Sequence, residues 1–110
     1  MSTISIEDKK GDGVCHARVT NEMTIYHAAE MKSELLLCLD RCTTVEIDLS
    51  EVGEIDTAGL QLLILVKREA IKAGKQLHLV THSPATLEVL DLFNMASYFG
   101  DPVVMPRESH

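Results

Sequence analysis

With 110 residues and a mass of 12.2 kDa, the chain has room for one domain, because a second core would be too small to stand alone. A hydrophobic fraction of 45% and a charged fraction of 25% exclude a disordered chain, while 4% aromatics and no Trp demand an aliphatic core and leave no stacking platform for single-stranded nucleic acid. The net charge of -7 repels a phosphate backbone or an anionic membrane surface, so nucleic acid is not an expected partner.

The longest apolar run, residues 62–66, falls far short of the roughly 20 residues that span a bilayer. No basic segment followed by an apolar one opens the chain, so it reads as cytoplasmic with no direct membrane insertion. The three cysteines, Cys15, Cys38 and Cys42, cannot all pair with one another, and reduced thiols are the expected state.

Ile4 and Ile6 alternate with polar residues, and after the turn sequence Lys9-Lys10-Gly11-Asp12-Gly13 a second alternating run covers residues 14–19, which predicts a β-hairpin. Thr24 is placed to cap a helix through about Leu39, whose core stripe is Ala28, Met31, Leu35, Cys38 and Leu39. Residues 44–49 alternate as a strand with one polar face, so the sheet is expected to be covered on one side. A short polar turn is expected over residues 50–56. From Thr57 a helix runs to a C-terminal cap at Gly74, with Lys67, Arg68 and Lys72 in its second half, where cations complement the helix dipole. Residues 76–81 supply another strand. Ser83 as N-cap and Pro84 at the first helical position then open a third helix through about Phe93. The order is β-β-α-β-α-β-α, an α/β domain with a mixed sheet and helices mainly on one face. Residues 94–110 read as a partly packed C-terminal tail of this single domain.

No phosphate-cradling, dinucleotide-binding, zinc-protease or nucleophile-elbow motif occurs, so no enzyme and no cofactor are expected. Cys38 and Cys42 lie on one side of a helix, but no further ligand spacing accompanies them, and no metal site is expected. Ser83, beside His82 and upstream of Asp91, is explained by helix capping rather than by a catalytic triad.

The informative stretch is VEIDLSEVGEIDTAGL, residues 45–60, which sets a strand, a loop and then Asp56-Thr57-Ala58-Gly59 at a helix start. Thr57 has two readings there. As an N-cap it satisfies backbone N–H groups and stabilises the helix by about 1 kcal/mol. As a phosphoacceptor it places a charge of about -1.5 to -2 at the positive end of the helix dipole, changing how that surface meets a partner.

The pattern Ile47-Asp48-Leu49-Ser50 followed by Ile55-Asp56-Thr57-Ala58-Gly59-Leu60 resembles the signature of STAS domains, and the element order and length match over nearly the whole chain. The group contains bacterial anti-sigma factor antagonists and the C-terminal domains of sulfate transporters. In the antagonist branch, the resemblance implies a regulatory adaptor without catalytic activity. The hydroxyl residue after the motif Asp is phosphorylated by a Ser/Thr kinase of histidine-kinase-like fold, the anti-sigma factor, and a PP2C-type phosphatase restores it. That hydroxyl falls on Thr57 and the carboxylate on Asp56. Ala58 and Gly59 stand where the family's Ser or Thr and its glycine stand, and the resemblance implies that they and Asp56 face the partner. The partner-facing turn before the first helix, Gly-Glu-Leu-Asp in the antagonists, is here Asn21-Glu22-Met23-Thr24, which carries the last position to Thr24. STAS proteins of chemotaxis gene clusters, and the small subunit of a bacterial lipid-transport ABC complex that binds an ATPase subunit, are also similar around this motif.

At 100° per residue, Gln61, Arg68 and Lys72 share one polar stripe of the second helix, with Glu69 at its edge and Leu65 among them. Leu65 is therefore expected to face solvent, and together with Gln61 and Arg68 to belong to a surface for a partner.

Overall fold

The computed structural model describes residues 4–8 and 13–93, which form β1 (Ile4–Asp8), β2 (Val14–Met23), α1 (Ala28–Arg41), β3 (Thr44–Ile55), α2 (Thr57–Lys72), β4 (Gln76–His82) and α3 (Pro84–Leu92). The expected tail and the residues between β1 and Gly13 lie outside the described residues. The strands form one sheet in the order β1-β2-β3-β4, antiparallel between β1 and β2 and parallel across the other two pairs. This is the mixed α/β arrangement expected from the alternation of strands and helices.

Period-two alternation decides which face is buried. Cys15, Ala17 and Val19 of β2, Val45, Ile47 and Leu49 of β3, and Leu77 and Leu79 of β4 enter the core. There they meet Met31, Leu35 and Leu39 of α1, Leu60, Leu63 and Val66 of α2, and Leu90 of α3. The opposite face carries His16, Arg18, Glu46 and Asp48, paired across β2 and β3 as His16–Glu46 at 3.1 Å and Arg18–Asp48 at 3.5 Å.

Beyond β2, which runs on to Met23 rather than ending at Val19, two boundaries differ from the expectation. The segment expected as a turn over residues 50–56 instead continues β3 to Ile55, with Val52 buried opposite Asn21. Its alternation is disguised by register shifts between Arg18 and Thr20 and between Asn21 and Glu22 of the partner strand. These slip the phase of the polar and apolar positions, and Asn21 takes the positive φ of 71° that such an irregularity requires. At the other boundary, α1 begins at Ala28 rather than near Thr24, because residues 24–27 form a turn closed by the His27 N–H donating to the Thr24 carbonyl at 2.9 Å.

The other ends follow their local chemistry. Gly74 has a φ of 72° and the Lys75 N–H returns to the Ala70 carbonyl at 2.8 Å, so α2 stops in a left-handed residue where glycine is unstrained. Lys75 also places its ammonium on the Leu39 and Asp40 carbonyls at the end of α1. Ser83 Oγ accepts the Thr86 N–H at 3.1 Å and is buried, which is the capping role expected of it. The cysteines depart from the reduced state expected. Cys15 at the start of β2 and Cys42 at the C-cap of α1 form a disulfide across a Cα separation of 6.0 Å. The spacing of Cys38 and Cys42 carried no hint of Cys15, which only the return of α1 over β2 brings near.

Candidate functional site

The site lies where β2 and β3 end together, with Met23 opposite Ile55. Asp56 follows in extended conformation and is the N-cap of α2; its Oδ1 accepts the Gly59 N–H at 3.1 Å. Its Oδ2 accepts the Ile25 N–H, also at 3.1 Å, and its own N–H donates to the Met23 carbonyl at 3.2 Å. One carboxylate thus caps α2 and ties the β2–α1 turn to it. Of the two readings of Thr57, the capping one is corrected: Asp56 does that work and Thr57 is the first helical residue. Thr57 is exposed, and its hydroxyl makes no hydrogen bond among the described residues.

Gly59 is buried beneath this turn. A Cβ there would lie 2.2 Å from the Met23 carbonyl oxygen and 2.9 Å from the Met23 Cβ, so only glycine lets the first turn of α2 rest on the end of β2. Gly59 is consequently a seat for the site and not part of its outer surface. Thr24 is corrected in the same way. It is 4% exposed, and its hydroxyl donates to Glu22 Oε1 at 2.7 Å, so it supports the turn from inside.

The residues that this turn does present were missed in the sequence. Ile25 is 69% exposed and Tyr26 86%, immediately beside Asp56. The available signal was an apolar pair at a helix entry that no core stripe absorbs.

Beyond Thr57, the structure gathers the remaining expected residues along a groove of about 560 Å³ between α1 and α2. Ala58, Gln61, Leu65 and Arg68 line one wall, and Ala28, Ala29 and Lys32 line the other. Leu65 is half-buried there rather than pointed at open solvent, because α1 runs alongside and forms the second wall.

A second cleft, of about 310 Å³, lies on the open sheet face among His16, Arg18, Glu46 and Asp48. Burial opposes ionisation of Asp48, but hydrogen bonding from the Ser50 side chain, from the Thr81 hydroxyl at 2.5 Å and from the Ser50 N–H at 2.8 Å, with the charge of Arg18, outweighs it and lowers its pKa to about 2. Within this cleft Arg18 and Asp48 thereby serve as each other's counter-charge. In the core, the sulfurs of Cys15, Cys38 and Cys42 lie within 4.8 Å of one another, but the Cys15–Cys42 bond withdraws two of the three from metal ligation. No helix among the described residues is long and apolar enough to cross a membrane.

A four-stranded mixed sheet backed by three helices in the order β-β-α-β-α-β-α is the fold of STAS domains. The family model described as "Mlab, STAS domain" matches residues 7–104, and the chain belongs to that family. Among solved structures, an anti-sigma factor antagonist from Mycobacterium paratuberculosis is 23% identical with a TM-score of 0.75, over 94% of this chain and 92% of that one. A putative anti-sigma factor antagonist from Thermotoga maritima is 18% identical with a TM-score of 0.79, covering 93% and 87%. The phosphorylated form of SpoIIAA, a Bacillus cell fate determinant, is 15% identical with a TM-score of 0.69, covering 91% of each chain. At these identities the likeness establishes the shared fold.

Proposed function

We propose that the chain is a non-catalytic adaptor that docks a regulatory protein at the start of α2 and is released from it by phosphorylation of Thr57. The partner class is a histidine-kinase-like Ser/Thr kinase acting as anti-sigma factor, with a PP2C-type phosphatase reversing the switch. The observation that carries this reading is the division of labour between neighbours: Asp56 takes the cap, which leaves the exposed Thr57 hydroxyl available to a kinase. A phosphate there adds a charge of about -1.5 to -2 beside the exposed Ile25–Tyr26 pair and the Ala58 wall of the groove. The solved phosphorylated form of SpoIIAA, on the same fold, supports the reading.

A second reading is favoured by the family match itself, whose description points to the branch of the lipid-transport subunit. There the same surface holds an ABC ATPase constitutively and Thr57 is a contact rather than a switch. The test is to incubate the chain with ATP and each histidine-kinase-like kinase encoded in its genome, then weigh it. The switch reading expects a gain of about 80 Da that Thr57→Ala abolishes. An unchanged mass, with co-purification of an ABC ATPase, favours the constitutive subunit.

A further inference from the structure

The α1–α2 groove has a composition at odds with the rest of the molecule. The protein carries a net charge of -7, yet the charged residues lining this groove are both cations, Lys32 and Arg68. Both are exposed, and neither forms an ion pair among the described residues, whereas Arg18 and Lys72 do. Three alanines, Ala28, Ala29 and Ala58, keep the walls short at the end nearest Thr57 and admit close approach of another backbone. Leu65 supplies apolar surface farther along. From Ala58 to Arg68 the helix rises ~15 Å, nearly three turns of an opposing helix.

We infer that this groove receives an amphipathic helix of the partner protein, with apolar residues at i, i+3 or i+4, and i+7 toward Leu65 and the alanines, and carboxylates at its flanks toward Lys32 and Arg68. The inference rests on the docking surface proposed above and adds the chemistry of what docks. Charge complementarity decides the occupant: a basic helix would meet two cations, and an uncharged one would leave them without counter-charge at a covered surface. The same arrangement explains how a phosphate at Thr57 would act. Thr57 precedes the groove residue Ala58, so the added negative charge stands at the near end of a channel that takes a negative ligand and disfavours carboxylates lying within a Debye length of about 10 Å of that end.

The test is selection of a phage-displayed library of roughly 16-residue helical peptides against the full chain, followed by measurement of the selected peptides. Enriched peptides are expected to be acidic with the stated apolar spacing. Lys32→Glu with Arg68→Glu should weaken them at least tenfold, Leu65→Asp likewise, and Thr57→Asp several-fold, with circular dichroism and melting unchanged. Enrichment of basic or charge-indifferent peptides, no enrichment, or binding that survives the double reversal would overturn the inference. Preferential binding of phosphatidylglycerol vesicles through Lys32 and Arg68 would do the same. The kinase assay reads the switch separately: acidic peptides in the groove without a mass gain at Thr57 leave this inference standing while the switch fails, and the converse is equally visible.

Discussion

Replacing Asp56 with alanine removes two hydrogen bonds at once. The bond to the Gly59 N–H is an N-cap, and its loss costs about 1 kcal/mol. The bond from the Ile25 N–H joins residues 31 apart in sequence and has an ionised acceptor, which places it near 1.5 kcal/mol, at the low end for charged hydrogen bonds because the contact is exposed. The combined loss is about 2 to 3 kcal/mol, and at roughly 4 °C per kcal/mol for a domain of this size the melting temperature should fall by about 10 °C. Asp56→Ser separates the two contributions. A serine caps α2 but cannot also reach the turn, so the variant should recover about 1 kcal/mol while leaving Ile25 untied. Thermal melts give the totals, and amide hydrogen exchange at Ile25 gives the local term, with faster exchange expected in both variants. Unchanged exchange at Ile25 in Asp56→Ala, together with a melting shift under about 2 °C, would refute the double role assigned to this carboxylate.

Gly59→Ala should destabilise the chain by about 1 to 3 kcal/mol, since its Cβ must displace the Met23 carbonyl; chemical denaturation would detect this as a lower midpoint. Asp48, with its pKa lowered to about 2, contributes stability that is present above the usual value of 3.8 and is lost as pH falls through 2. The parent chain should therefore lose up to about 2 kcal/mol from this group between pH 5 and pH 2, and Asp48→Asn should remove that part of the pH dependence in urea titrations. The Cys15–Cys42 bond closes a loop with a sequence separation of 27, for which the chain-entropy model gives about 3 to 4 kcal/mol. Reducing agent should lower the melting temperature of the parent but not of Cys15→Ala, and alkylation of the denatured, unreduced chain should label one cysteine rather than three.

Local rules were enough to find several parts of the fold in the amino-acid sequence. The β1–β2 alternation, the Ser83-Pro84 helix start and the Gly74 stop each depend on residues adjacent in the chain. The second half of β3 was hidden because its bulged register breaks the period that marks a strand. At the site, Asp56 and Thr57 were both legible, but which of them caps α2 was not, since either side chain can accept the same N–H groups. Leu65 read as solvent-facing because helical periodicity describes one helix, and the wall that half-covers it belongs to another. The Cys15–Cys42 pairing and the closeness of Ile25 to Asp56 are long-range outcomes: α1 returning over the sheet brings Cys42 to Cys15, and the parallel pairing of β2 with β3 brings Ile25 to Asp56.

β3 pairs with β4 only as far as Leu49, but with β2 as far as Ile55. The two-stranded extension holds Asp56 and the Ile25–Tyr26 turn out as a promontory past the rest of the sheet. A bulky visitor can grip that headland end-on without leaning over the His16–Glu46 and Arg18–Asp48 flank.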